Sequence, residues 1–133
     1  MRWIEVKVTH PNLMIITAAL DAFNTRDSDA ISRYVSEDYA YTLHGRGPFA
    51  GVYKGFEGVS RIVDAGAALG FKVKPLLVLA DAEYVFVLGK LTGEREGKTI
   101  ETENCYIYRV RDGKLVEGRN VPTDQYAFDE YCR

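Results

Sequence analysis

The dipeptide Asp112-Gly113 lies between two runs of alternating residues and fixes more of this chain than any other two positions. Asp-Gly is favoured where both residues of a two-residue turn need positive φ, so it joins two antiparallel strands as a hairpin. Glu96-Gly97 reads as a second such turn one strand earlier. Turn geometry sets register, and register sets which side chains share a face. About Glu96-Gly97, Lys90 falls opposite Glu103, an opposite-charge pair that supports the alignment. Leu88 then faces Cys105 and Phe86 faces Ile107, while Val87, Val85 and Gly89 pair with Tyr106, Tyr108 and Asn104 on the other side. About Asp112-Gly113, Tyr106 falls opposite Arg119, Tyr108 opposite Glu117 and Asn104 opposite Val121. One face is therefore expected to carry Asn104, Tyr106, Tyr108, Glu117 and Arg119. The other carries Phe86, Leu88, Cys105, Ile107 and Val116.

Upstream, the pattern changes period. Residues 4–8 alternate and suggest a short extra strand. Thr9-His10-Pro11-Asn12 reads as a turn with Asn12 as a helix cap. Leu13, Ile16, Ala19, Leu20 and Phe23 follow helical spacing to Asn24. A shorter helix is expected over 28–35, capped by Asp27 or Ser28, and a strand over 39–44. Glycines and a proline make 45–55 a loop. A helix follows over 57–69, then strands over 71–79, 84–92, 99–110 and 115–121, and a terminal helix over 124–131. Helices first and a strand meander afterwards make an α+β domain. At 133 residues, without repeats or a linker, one domain over 1–133 is expected, with its core in about 12–131.

Composition narrows the partners. Net charge is −2 and the basic residues form no run, so nucleic acid and anionic membrane are not expected. No apolar stretch reaches the roughly 18 residues of a spanning helix, and the first residues show no secretory core, so a cytoplasmic location is expected. Two cysteines, Cys105 and Cys132, and two histidines, His10 and His44, make neither a disulfide framework nor a ligand cluster. The glycines of 45–55 lack the Lys-Ser/Thr of a phosphate loop. No metal and no nucleotide cofactor are expected.

Three segments carry a resemblance: Gly-Arg-Gly-Pro-Phe-Ala-Gly-Val-Tyr-Lys-Gly at 45–55, Tyr-Arg-Val-Arg-Asp-Gly-Lys-Leu at 108–115, and Asp-Gln-Tyr-Ala-Phe-Asp-Glu-Tyr at 124–131. With the Phe23-Asn24-Thr25-Arg26-Asp27 exit of the first helix, the chain resembles the SnoaL-like family of the nuclear transport factor 2-like superfamily over about 12–131. The resemblance implies a cone, a curved antiparallel sheet wrapped around three N-terminal helices and enclosing one pocket. The superfamily includes ketosteroid isomerase, polyketide cyclases, scytalone dehydratase, limonene epoxide hydrolase and binding modules without catalysis. Ketosteroid isomerase works with a carboxylate base and with a tyrosine and a protonated aspartate as oxyanion donors. Those positions match Ala19 for the tyrosine, Leu43 or His44 for the base, and Tyr106 for the aspartate. The resemblance therefore implies the fold without that activity.

The candidate catalytic residues are His44, Tyr106, Arg119 and Glu117. His44 is either a general base at the pocket rim or a histidine bonded within the glycine-rich turn. Tyr106 beside Arg119 would suit an enolate-like or weakly anionic ligand, or would be a structural pair. Glu117 is either the base or the neutraliser of Arg119. Asn104, Tyr108 and Tyr53 are candidate ligand-binding residues, Tyr53 near the mouth or as a loop anchor. Two functions follow. One is a cofactor-independent isomerase, dehydratase, cyclase or epoxide-opening enzyme acting on a small apolar molecule. The other is a binding or scaffold protein without turnover, suggested by Leu43 where a carboxylate would stand. The apolar outer face needs a cover, and a second copy of the chain is the expected one.

Overall fold

The computed structural model describes residues 10–133, so the strand expected at 4–8 lies outside the described residues. Helix α1 spans Asn12–Asn24 and α2 Ser28–Ser32; strands β1 (Val35–Leu43) and β2 (Gly51–Lys54) follow, then helix α3 (Gly55–Leu69). Strands β3 (Lys72–Ala80), β4 (Tyr84–Arg95), β5 (Lys98–Arg111) and β6 (Lys114–Pro122) form a meander, and α4 (Gln125–Cys132) closes the chain.

The local chemistry explains most of these boundaries and corrects some expectations. Asn12 is the first helical residue and not the cap. Its backbone N–H donates to His10 Nδ1, and its side chain donates to the Asp81 carbonyl in the β3–β4 turn. Asp27 caps α2 by accepting from the Ala30 N–H at 3.0 Å. That helix is shorter than expected and β1 starts earlier, because Leu115 N–H bonds the Tyr34 carbonyl and draws the chain into the sheet. The 45–55 segment is not all loop. Its last residues pair with β1 as β2, Tyr41 opposite Tyr53.

The six strands run β2-β1-β6-β5-β4-β3. The sheet is antiparallel except at β1–β6, which pair in parallel, a departure from the wholly antiparallel expectation. Both two-residue turns form as expected, with positive φ at Glu96, Gly97, Asp112 and Gly113. The β4–β5 register matches the expectation along its whole length, Lys90 opposite Glu103 included.

The β5–β6 register does not. Arg111 pairs with Lys114 and Val110 with Leu115, but Arg109 then pairs with Glu117. Val116 is the extra residue of a β-bulge. Beyond it every β6 residue is displaced by one, so Tyr106 faces Asn120, Tyr108 faces Gly118 and Asn104 faces Pro122. The parallel β1–β6 pairing is irregular at the same level, between Val35 and Ala40. Both irregularities of β6 thus fall at Val116.

Helices α1, α2 and α3 bury their apolar stripes on the concave face, with Ile16, Val59, Leu69, Val87 and Leu91 at its centre. Each such side chain contributes about 1.5–3 kcal/mol by leaving water. Helix α4 plugs one end. Phe128 and Tyr131 stack on Phe71 at 5.7 and 5.4 Å, and the Tyr131 hydroxyl donates to the Leu69 carbonyl. Among the described residues, no helix is long and apolar enough to cross a membrane.

Candidate functional site

Strand alternation presents Tyr39, Tyr41 and Leu43 of β1, Asn120 of β6, and Tyr106 and Tyr108 of β5 to the concave side. With the α1 and α3 stripes they line a cavity of about 80 Å³. Since roughly 10–15 Å³ holds one water, this is room for one small organic molecule.

The tyrosines form a tilted row. Ring centroids are 6.5 Å apart between Tyr39 and Tyr41, and again between Tyr41 and Tyr108. Glycine makes room for them. A Cβ on Gly118 would lie 2.6 Å from the Tyr39 hydroxyl and 2.8 Å from two Tyr108 ring carbons. Desolvation pushes all four cavity phenols above the ordinary tyrosine range. At Tyr106 the neighbouring Tyr108 adds to that and the Asn104 amide opposes it. These side chains are therefore neutral hydroxyls, able to donate a hydrogen bond. Among the described residues, neither the buried Tyr106 hydroxyl nor Asn104 Oδ1 has a hydrogen-bond partner. Asn104 Nδ2 donates to Asn120 Oδ1 at 2.8 Å in a fully buried bond.

The bulge redistributes the expected site. Tyr106, Tyr108 and Asn104 lie on the concave side as expected. Arg119 and Glu117 do not. They are exposed on the convex face, where Ile107 and Arg109 are their β5 partners. His44 is also on that face, just past the end of β1, in a groove shared with Thr42, Tyr84, Glu117 and Arg119. Three of the four expected catalytic residues are thus brought together, but outside the cavity. The one-residue slip at Val116 turns Glu117 and Arg119 out of the cavity, and His44 lies outside it because Leu43, the residue before it, faces in.

Tyr53 is buried and anchors its loop. Its hydroxyl donates to the Phe49 carbonyl and the Arg61 guanidinium lies 5.1 Å over its ring, so it does not line the cavity. Val116, expected on the convex face, is the bulge residue; it is buried but stands apart from the core cluster, in a groove with Arg109, Arg111 and Glu117. Ala19, Leu43 and Tyr106, which the resemblance matched to the steroid isomerase positions, all line the cavity.

Asn120 is the residue that the sequence reasoning missed. The signal was present: Leu115 and Val116 are consecutive apolar residues where strict alternation allows one, and a bulge accommodates such a pair. Among the described residues lining the cavity there is no Asp, Glu, His, Lys or Arg. Nor, among the described residues, do three His, Cys, Asp or Glu side chains come together as metal ligands.

The profile of the SnoaL-like domain matches residues 16–118. No curated protein matches the chain in sequence. Among solved structures, Bal32a from a soil-derived mobile gene cassette is 29% identical with a TM-score of 0.85, covering 92% of this chain and 96% of its own. A nuclear transport factor 2-like protein from Burkholderia xenovorans is 20% identical with a TM-score of 0.81, covering 96% and 100%. A protein with a ketosteroid isomerase-like fold from Catenulispora acidiphila, in complex with trimethylamine, is 17% identical with a TM-score of 0.71, covering 84% and 85%. The likeness to the last two is one of fold.

Proposed function

This chain belongs to the SnoaL-like family, and from that premise we propose that it binds a small, uncharged, mostly apolar molecule carrying one hydrogen-bond-accepting oxygen. The observation that carries the reading is the cavity wall. It is apolar and without charge among the described residues, yet it holds a buried hydroxyl, that of Tyr106, with no protein partner. A buried unpartnered hydroxyl costs about 1–3 kcal/mol unless a ligand satisfies it. A charged ligand would lose its hydration with no counter-charge in return. The weakly anionic ligand suggested by Arg119 therefore gives way to a neutral one. The Catenulispora acidiphila neighbour, in complex with trimethylamine, is a fold relative that accommodates a molecule of compact size.

Titration with cyclopentanone, followed by methyl NMR, tests the reading. Methyl groups of Leu20, Val59, Leu91 and Leu115 should shift together and saturably. Shifts confined to surface methyls would refute it.

A second reading, a cofactor-independent isomerase, dehydratase, cyclase or epoxide-opening enzyme, is favoured by the same hydroxyl. Held protonated in a dry site, Tyr106 suits the stabilisation of an oxygen that gains negative charge. The described lining supplies no base, so water or the substrate itself would have to accept the proton. Exchange of the α-hydrogens of cyclopentanone for deuterium, faster than in buffer and lost in Tyr106→Phe, would favour this reading over binding alone.

A further inference from the structure

Resting on the binding reading above, we infer that Asn120 and Tyr106 form a two-donor subsite for a carbonyl oxygen, with Asn104 as the residue that positions Asn120. The three side chains lie on adjacent strands of the concave face, Tyr106 directly opposite Asn120 and Asn104 one pair along. All three are at least nine-tenths buried, Asn104 wholly so.

Their bonding pattern is directional. Asn104 Nδ2 donates to Asn120 Oδ1, which occupies the oxygen end of the Asn120 amide. The Nδ2 end of Asn120 is left for the cavity, which Asn120 lines. Asn120 and Tyr106 both line the cavity, whereas Asn104 stands behind them. The wall thus offers two donors from directly paired positions, an amide N–H and a phenol O–H, and one ligand atom that satisfies both needs to be an oxygen with two lone pairs. A ketone, aldehyde, ester or lactone carbonyl fits. A hydrocarbon leaves both donors unmet.

The inference names a selectivity. The test uses cyclopentanone, cyclopentanol and cyclopentane on the intact chain, with affinities from methyl NMR and the carbonyl stretch of bound cyclopentanone from infrared difference spectra. The ketone should bind roughly tenfold or more tightly than the hydrocarbon, since each satisfied buried donor is worth about that factor. Its stretch should move to lower frequency on binding. Asn120→Leu and Tyr106→Phe should each remove part of both effects. Asn104→Leu, which touches no ligand, should reduce the frequency shift while cyclopentane affinity stays unchanged, a pattern that a merely structural role would not give. Should Asn104→Leu fail to fold, Asn120→Leu and Tyr106→Phe still decide the donors and Asn104→Asp decides the positioning.

Equal binding of ketone and hydrocarbon would overturn the subsite and leave the binding reading standing. Preference for cyclopentanol over cyclopentanone would overturn it too, because the wall would then be offering an acceptor. Binding of none of the three would overturn both.

Discussion

Adding one residue should invert a wall of the cavity. Val116 is the bulge residue, and a single alanine inserted after it, with the bulge still one residue wide, would displace every later β6 residue by one, setting Glu117 against Tyr108 and Arg119 against Tyr106. Glu117 and Arg119, now exposed, would turn toward the tyrosines, and Asn120 would turn out. The cost follows from what moves. Two ions would enter an apolar wall at several kcal/mol each, repaid only in part by pairing with each other. The Asn104–Asn120 bond, worth about 1 kcal/mol, would be lost. The space that Gly118 leaves for Tyr39 and Tyr108 would have to accept a long charged side chain. Together this is of the order of the whole stability of a domain this size, about 5–15 kcal/mol. Val116→Ala, which keeps the count, should cost only about 1–2 kcal/mol of apolar burial. Urea unfolding followed by circular dichroism, with amide NMR dispersion as the check on folding, separates the two. The insertion should leave no cooperative transition, whereas the alanine variant should keep one. An insertion variant within about 2 kcal/mol of the parent would show that the length of β6 beyond Val116 does not set the cavity wall.

Gly118→Ala should cost about 1–3 kcal/mol in urea unfolding, because its methyl group meets the Tyr39 hydroxyl and the Tyr108 ring; an unchanged midpoint would mean that those rings move freely. The buried phenols should make stability fall above about pH 10, since burial raises those of Tyr39, Tyr41, Tyr106 and Tyr108. Above the unfolded tyrosine value the unfolded chain loses protons that the native state keeps, which favours unfolding by roughly 1.4 kcal/mol per pH unit per tyrosine; equal urea midpoints at pH 9 and 11 would contradict this. The convex face should pair with a second copy of the chain. Phe86, Leu88, Cys105 and Ile107 lie there among Lys90, Arg109 and Arg119 on one side of the charge balance and Glu101, Glu103 and Glu117 on the other, which makes the face self-complementary. Leu88→Arg should give monomers or unfolded protein; sedimentation of the unmodified protein as a monomer at micromolar concentration would exclude the pairing.

How much was legible in the sequence differs sharply between two neighbouring hairpins. Glu96-Gly97 gave the right partner for every residue of β4 and β5, because a two-residue turn and unbroken alternation leave only one register. Asp112-Gly113 gave the right turn and two right pairs, after which Val116 broke the count. A local turn signal fixes only the pairs next to it and cannot reveal a bulge further along the strand. So Tyr106, Tyr108 and Asn104, on the correctly aligned strand, were found, and Arg119 and Glu117, beyond the bulge, were placed on the wrong face. The short strand β2 was hidden for a similar reason. Gly51 and the turn residues before it read as loop, and only the waiting edge of β1 makes a strand of Gly51–Lys54.

The parallel seam between β1 and β6 has a consequence for the order in which the molecule comes together. Val35 takes Leu115 as its partner, and Leu115 arrives only after β2, α3 and three further strands have been made. The hairpins of β3 to β6 join residues close in the chain and close quickly, while the β1–β2 pair has no edge to join until β6 is in place. A ribosome-bound chain stopped before Lys114 would hold the tyrosines of β1 and β5 apart, with nothing between them to complete the wall. The slowest step of assembly should accordingly be the zipping of that seam, and substitutions along it should slow folding more than equally costly ones at the β4–β5 turn.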